Sequence, residues 1–447
     1  MLDPDAFKAY DVRAVYPSEL DEAGAYAIAR AFVEVFRPAR VAVGRDVRLS
    51  SPAVAHGVIE GAADGGADVV DLGLVGTEMV YFATARMGIE GGIMVTASHN
   101  PKQYTGLKIV RAGAVPVGGD SGLDEIRERA LAANWLVARR GTVEHADIWE
   151  PFVDAALEFV DTSAVTPLKV AIDAANGMAG AMLPPILARL PQVEVVRFYF
   201  EPDGSFPHHE PNPLLPENRE FIIEATRSEG ASFGVAYDGD ADRCFFVDDQ
   251  GEFVPGDFMT ALFAESMLAR DPGGTVIYDL RASWAVREAV ERAGGTALIN
   301  RVGHSFIKQR MREVDAVFAG EVSAHYYFRD FSRADSGIVP FLLMLELLSR
   351  RGKSLSELLA PLRRRYFLSG EINTPVRDVA AKLEELERRF GPEGVVSHLD
   401  GLSVDAAEWH MNIRGSNTEP LLRLNLEALS EPLMERKRDE VLAAIRA

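Results

Sequence analysis

The chain is short of cysteine, of long apolar runs and of positive charge, and each shortage removes a class of protein. A single cysteine, Cys244, among 447 residues rules out an internal disulfide framework and suits a reducing compartment. It lies in the apolar run 244–247, where a buried, inert thiol is expected rather than a nucleophile. No apolar stretch reaches bilayer-spanning length, and the best, Phe341–Leu348, is broken by Glu346. The opening residues 1–5 have neither the basic nor the apolar region of a signal peptide. A soluble cytoplasmic protein is therefore expected. Lys and Arg number 47 against 67 Asp and Glu, a formal net charge of −20. That balance disfavours nucleic acid and membrane as partners, and it means that any anionic substrate must meet a locally basic cleft. A Gly-x-Ser-x-Gly elbow is also missing, which argues against a hydrolase triad.

What the chain does have is length, apolar content and a recurring grammar. Hydrophobic residues make up 47% of 447 positions, enough for about three domains of roughly 150 residues each. After a helical stretch, Ala25–Phe36, the apolar run Arg40–Gly44 ends at Arg45-Asp46. A helix pattern over Ser51–Gly65 and a strand at Asp68–Leu72 follow. The same strand–loop–helix–strand order returns twice. Lys169–Ile172 ends at Asp173, then a small-residue loop (Ala174–Gly180), a helix through Leu190 and a strand near Val193–Phe198 follow. Thr275–Tyr278 ends at Asp279, then a loop, a helix over Ala285–Ala293 and a strand at Ala297–Ile299 follow. Three such units indicate an internal triplication. The expected fold is α/β: three similar domains with mixed sheets, and a smaller C-terminal α+β domain, around a central cleft. The carboxyl ends of the strands would present the functional loops. The last domain is read from a charged helix, Val379–Phe390, strands near Trp409–Ile413 and Leu421–Leu426, and a final helix from Pro432. The expected boundaries are 1–150, 151–252, 253–367 and 368–447.

Four loops carry polar residues that ordinary turns do not need. Thr96-Ala97-Ser98-His99-Asn100-Pro101 follows the apolar segment Gly92–Val95, and the turn closed by Pro101 is expected to expose the Ser98 hydroxyl. Lys108 follows ten residues later. In the second loop, Asp238, Asp240 and Asp242 alternate with Gly239 and Ala241 and end at Arg243. Alternate side chains converge, and three converging carboxylates repel unless a hard cation such as Mg²⁺ sits among them. On this stretch alone a metal site and a solvated acidic turn both remain open. Gly320-Glu321-Val322-Ser323-Ala324-His325 follows the expected strand Ala316–Phe318. It offers a carboxylate and a hydroxyl suited to sugar hydroxyls, with His325 able to titrate near neutrality. Arg414-Gly415-Ser416-Asn417-Thr418-Glu419-Pro420, with Arg423 beyond it, has the charge, small residues and donors of a phosphate cradle.

Taken together these loops resemble the four signature loops of the α-D-phosphohexomutases, in that family's order, and nearest the phosphomannomutase/phosphoglucomutase branch. The opening stretch from Phe7 to Arg13, which includes Tyr10, and the loop Val302–Ser305 are similar to that family as well. The resemblance spans essentially the whole chain. It implies reversible phosphoryl transfer between the 1- and 6-positions of a hexose phosphate, mannose and also glucose, through a hexose 1,6-bisphosphate that serves as activator. By the same resemblance Ser98 carries the phosphoryl group, and it joins Asp238, Asp240 and Asp242 around one Mg²⁺ per chain. Glu321 and Ser323 read sugar hydroxyls. Arg414, Ser416, Asn417, Thr418 and Arg423 hold the phosphate that is not transferred, with Tyr10 and Arg281 also on the substrate. Lys108, His304, His325, Arg13 and Arg243 supply acid/base and charge-stabilising groups. Arg281 stands where close relatives often carry lysine. A phosphoglucosamine mutase and a metal-dependent sugar phosphatase are the competing readings. The partner is a small phosphosugar, and the protein is expected as a monomer or homodimer.

Overall fold

The structure, a computed structural model, describes residues 1–416 and 420–447, leaving aside the side chain at position 120. It divides into two compact units, one of Met1–Val254, Met311–Asp315 and Ser323–Leu355, the other of Pro255–Arg310, Ala316–Val322 and Ser356–Ala447.

In the first unit, two sheets repeat one topology. Arg40–Arg45 lies between Asp68–Leu74 and Gly91–Val95, parallel to both, and Tyr104–Arg111 closes antiparallel on Gly91–Val95. Leu168–Asp173 likewise lies between Val193–Phe198 and Phe233–Tyr237, parallel to both, with Cys244–Asp248 antiparallel on the far side. The second unit begins the same way: Thr275–Asp279 is flanked in parallel by Thr296–Asn300 and Phe318–Gly320. The first parallel step in each sheet needs a crossover, and the helices Ser51–Asp64, Ala179–Leu187 and Trp284–Arg292 supply it. Every residue of Gly91–Val95, Phe233–Tyr237 and Cys244–Asp248 is buried, as befits strands covered on both faces. The third strand begins at Phe318 rather than Ala316. Ala316 and Val317 are buried and the Val317 amide already donates to Thr275 O at 2.9 Å, so apolar character starts before the ladder does.

Close helix packing shapes the first sheet's outer layer. Helices Glu22–Phe36 and Ser51–Asp64 meet where a Cβ on Gly57 would lie 2.3 Å from Glu22 O and one on Gly61 2.2 Å from Tyr26 O. Only glycine permits that approach. The remainder of the second unit is an antiparallel sheet in which Trp409–Gly415 lies between Leu402–Asp405 and Leu421–Ala428. Helices Val379–Phe390 and Glu431–Arg446 cover it over a core that includes Leu386, Phe390, Trp409, Leu424 and Ile445. Among the described residues no helix is long and apolar enough to cross a membrane.

Candidate active site

The repeated topology gives the equivalent strand of each sheet the same ending. Each first strand ends in, or is followed at once by, an aspartate that accepts the amide two residues on. Asp46 takes Arg48 N at 3.0 Å, Asp173 takes Ala175 N at 2.8 Å and Asp279 takes Arg281 N at 2.9 Å. These are Asx turns, a local device that sends the chain off the sheet in a fixed direction. The loop after each third strand then holds candidate site residues: Ser98, Asp238 to Arg243, and Glu321.

In the first unit Ser98 Oγ donates to Asp238 Oδ2 at 2.8 Å across 140 residues of chain. The expectation of an exposed hydroxyl is corrected here, because Ser98 is only 2% exposed. Its turn is sharp, with φ of 50°, but the aspartate loop packs directly on it. A Cβ at Gly239 would lie 2.5 Å from Ser98 O and 3.3 Å from Pro211 Cγ. Arg13 and Arg48 hold the turn from beneath. Arg13 Nη1 donates to Ala97 O and to Asn100 Oδ1, each at 2.6 Å, while its Nε donates to Asp11 Oδ2 at 2.9 Å. Arg48, itself buried, donates to Ser98 O at 2.8 Å, Asn100 O at 2.6 Å and Pro101 O at 2.9 Å. Tyr10 is half-buried in the turn that precedes Val12–Val15.

Asp238, Asp240 and Asp242 converge, all buried, with one oxygen of each within 4.8 Å of the others. Arg243 Nε donates to Asp238 Oδ2 at 2.9 Å, and its Nη2 lies 3.4 Å from Ser98 Oγ. Lys108 Nζ donates to Asp240 Oδ2 at 2.7 Å and to Asp242 Oδ2. Thr77 Oγ1 adds a donor to Asp240 Oδ2 at 2.5 Å. His325 Nε2 is 3.6 Å from Asp242 Oδ1, and its Nδ1 is 3.1 Å from Ser323 Oγ. Burial pushes the Asp238 carboxyl up to about 6, against the pull of Arg243 and with the push of Asp242 and Asp240. Burial also raises Asp242, but Lys108, then His325 and Arg243, outweigh it and hold that carboxyl well below the usual range. Burial, then Arg243 and Arg13, press the His99 pKa well below its usual value.

The residues fit a hard metal ion. All their donors are oxygen, and Asp240 Oδ1 and Asp242 Oδ1 are buried with no hydrogen-bond partner. Three carboxylates face two cations, Lys108 and Arg243, so the cluster carries surplus negative charge that a phosphorylated serine would enlarge.

In the second unit, Arg281 makes a two-point contact with Asp279, Nε to Oδ1 at 3.0 Å and Nη2 to Oδ2 at 2.9 Å. The Val322 amide donates to the same Asp279 Oδ2 at 2.9 Å, and Gly303 N donates to the buried Glu321 at 3.1 Å. His304 is half-buried at the start of helix His304–Val314. Arg414 and Arg423 stand opposite each other on paired strands, and Arg423 Nη2 donates to Ser416 Oγ at 3.4 Å. The expected phosphate-loop residues Asn417 and Thr418 lie outside the described residues.

Sequence reasoning missed the supports. Arg48 had a legible signal, since Asp46-Val47-Arg48 repeats the pattern of Asp279-Leu280-Arg281. Glu78, Asp335 and the His209–Asp173 pair, Nε2 to Oδ2 at 2.9 Å, had none.

The comparisons with known proteins agree along the whole chain. Four family models match in order: the phosphoglucomutase/phosphomannomutase alpha/beta/alpha domain I over residues 4–135, domain II over 150–251, domain III over 255–366, and the C-terminal domain over 371–444. A protein named phosphomannomutase from Salmonella montevideo is 43% identical over 445 residues, covering 98% of each chain. One named phosphohexose mutases from Xanthomonas campestris pv. campestris is 43% identical over 444 residues, covering 99% of each. A crystal structure of a phosphoglucomutase/phosphomannomutase family protein from Burkholderia thailandensis superposes with a TM-score of 0.90 at 32% identity, covering 100% of this chain and 98% of that one.

Proposed function

The chain belongs to the phosphoglucomutase/phosphomannomutase family, and from that premise we propose that it is a cytoplasmic phosphohexose mutase working through a phosphoserine at position 98. The hydrogen bond from Ser98 Oγ to Asp238 carries the reading, because it joins two loops 140 residues apart at one buried point. A serine there has its hydroxyl beside the oxygens that would hold Mg²⁺, namely those of Asp238, Asp240 and Asp242. When bound, Mg²⁺ neutralises charge on the transferring phosphoryl group.

The chain's own groups do the positioning. Arg13 and Arg48 fix the serine turn through its carbonyl oxygens, so Oγ is presented in one place. Arg243, with Nη2 near Oγ, supports the charge that builds as a P–O bond to Ser98 breaks. In the forward direction the phosphoryl group leaves Oγ and bonds to a free sugar hydroxyl, whose proton passes to a basic group of the site. His325, beside Asp242, would take that proton in the first unit, while Lys108, already a cation on Asp240 and Asp242, steadies the charge that develops. The resulting hexose 1,6-bisphosphate turns end for end, its other phosphoryl group bonds to Oγ, and the remaining alkoxide regains a proton. A trace of added bisphosphate restores serine that has lost its phosphate. In the second unit we assign Glu321 to the sugar, His304 to acid/base or charge-stabilising work, and Arg281, Arg414, Ser416 and Arg423 to the phosphate that is not being transferred. Asn417 and Thr418 keep the phosphate role that the resemblance implies. Mannose is the proposed preferred hexose, with glucose second, because two relatives at 43% identity are named phosphomannomutase.

The test is direct. Purified protein is given mannose, glucose or glucosamine 1-phosphate with Mg²⁺ and a trace of the matching 1,6-bisphosphate. Conversion to the 6-phosphate is expected, fastest for mannose. Ser98→Ala is expected to lose at least about 10³-fold in kcat while still binding substrate. Release of inorganic phosphate in step with substrate loss would mean a phosphatase instead, and full turnover by Ser98→Ala would remove the serine from the mechanism.

A further inference from the structure

The arginines assigned to the distal phosphate already share an anion from the chain itself. Glu371 Oε1 lies 3.3 Å from Arg423 Nη1, while Oε2 lies 3.4 Å from Arg281 Nη1 and 3.9 Å from Arg414 Nη2. The fold makes such an anion necessary. Arg414 and Arg423 face each other in register on adjacent strands, and Asn373 of the strand that Glu371 leads into pairs with Arg423. Like charges directly opposed across a ladder are unfavourable unless something neutralises them. Desolvation works against the Glu371 carboxylate, but Arg281, Arg423 and Arg414 outweigh it and hold its pKa low, so it stays charged.

The contacts are nevertheless loose. A saturated guanidinium–carboxylate pair has N–O distances of about 2.7–2.9 Å, and none of the three reaches that. Arg414 Nε and Arg423 Nε are buried with no hydrogen-bond partner. Arg281, by contrast, is satisfied on its other edge by Asp279. The cluster therefore has donors to spare. A phosphate dianion, with more charge and three acceptor oxygens, can take what Glu371 does not fill.

We propose that Glu371 is an internal counter-anion of the phosphate seat, holding Arg281, Arg414 and Arg423 together between occupancies and competing with the phosphate while it is bound. The inference rests on the mutase reading for its purpose. A mutase must let go of one end of its bisphosphate and take the other without losing the molecule. A seat without this carboxylate, with Arg414 and Arg423 uncompensated, would hold the first end too well. A carboxylate that returns as the phosphate leaves lowers the barrier to that exchange.

The experiment measures inorganic phosphate binding to the full chain by calorimetry, without turnover. Glu371→Gln keeps the shape and removes the charge. It is expected to bind phosphate about three- to tenfold more tightly, and with hexose phosphate to lower KM and kcat together. Glu371→Asp keeps the charge and should stay within about twofold of the parent. Adding Arg414→Ala to Glu371→Gln should erase the gain, which places it at this seat and not at Ser98. Weaker or unchanged phosphate affinity in Glu371→Gln would overturn the proposal, because a carboxylate that only shapes the arginines loses binding when removed. Tightening by both Glu371→Gln and Glu371→Asp would overturn it too, since charge would then not be the cause. The binding arm needs no catalysis, so it is decided separately from whether the parent isomerises any hexose phosphate.

Discussion

Single residues in this site are set by what buries them. The Ser98 turn was legible from Ser98, Asn100 and Pro101, but its burial was not, because turn chemistry describes a backbone and not the segment that covers it. Glu78 makes the same point for charge. It follows Thr77 on helix Thr77–Arg86, is 1% exposed, and its Oε1 accepts the Ile338 amide at 3.3 Å. Burial pushes its carboxyl up to about 8, against the hydrogen bonds of Ser336 and Ile338 and with added repulsion from Asp335 and Asp242. In the unfolded chain the group ionises near the ordinary glutamate value. Folding thus keeps a proton that the unfolded chain gives up, and this contribution is complete below that ordinary value and disappears as pH rises toward about 8. Parent protein should lose stability between pH 5 and pH 8 by about 2–4 kcal/mol from this group. Glu78→Gln should flatten that part of the slope in thermal melts, and parallel slopes for the two proteins would contradict it.

At the scale of elements, one βαβ design used three times explains why the chemistry gathers at loop ends. The aspartate after each first strand, and the polar loop after each third, recur because the same crossover returns the chain to the same edge. The strands were readable from their apolar runs, and the repeat from their order. The cross-loop packing was not readable, since it depends on the register between segments far apart. Gly239 tests it. A methyl there would meet Ser98 O at 2.5 Å and Pro211 at 3.3 Å, so the aspartate loop must back away from the serine. A shift on the order of 1 Å at a reacting centre costs about 10²-fold in rate. Gly239→Ala should therefore lose kcat by about that factor with KM little changed. A variant with parental kcat would show that the two loops need not touch.

Over the whole molecule, a chain of net charge −20 concentrates its useful cations in a few buried places. Lys108 and Arg243 already offset most of the aspartate charge, and the large cores beneath the first and last sheets are apolar. Folding is therefore expected to survive loss of the metal while catalysis does not. Chelation with EDTA should abolish mutase activity and leave the far-UV circular dichroism unchanged, with activity restored by Mg²⁺. Unfolding on chelation would assign the ion a structural role instead.

What the residues alone determined was local: which runs form strands, where aspartate or serine ends them, and that four polar loops recur in a family's order. Those properties follow from period, turn chemistry and residue type, which neighbours in sequence decide. The tertiary structure decided what lies against what. It buried Ser98 beneath the aspartate loop, set Arg48 under the serine turn, made Glu78 a proton-holding acid and put Glu371 among three arginines. Each of these depends on desolvation and distance between residues remote in the chain, and no pattern read along one segment contains that information.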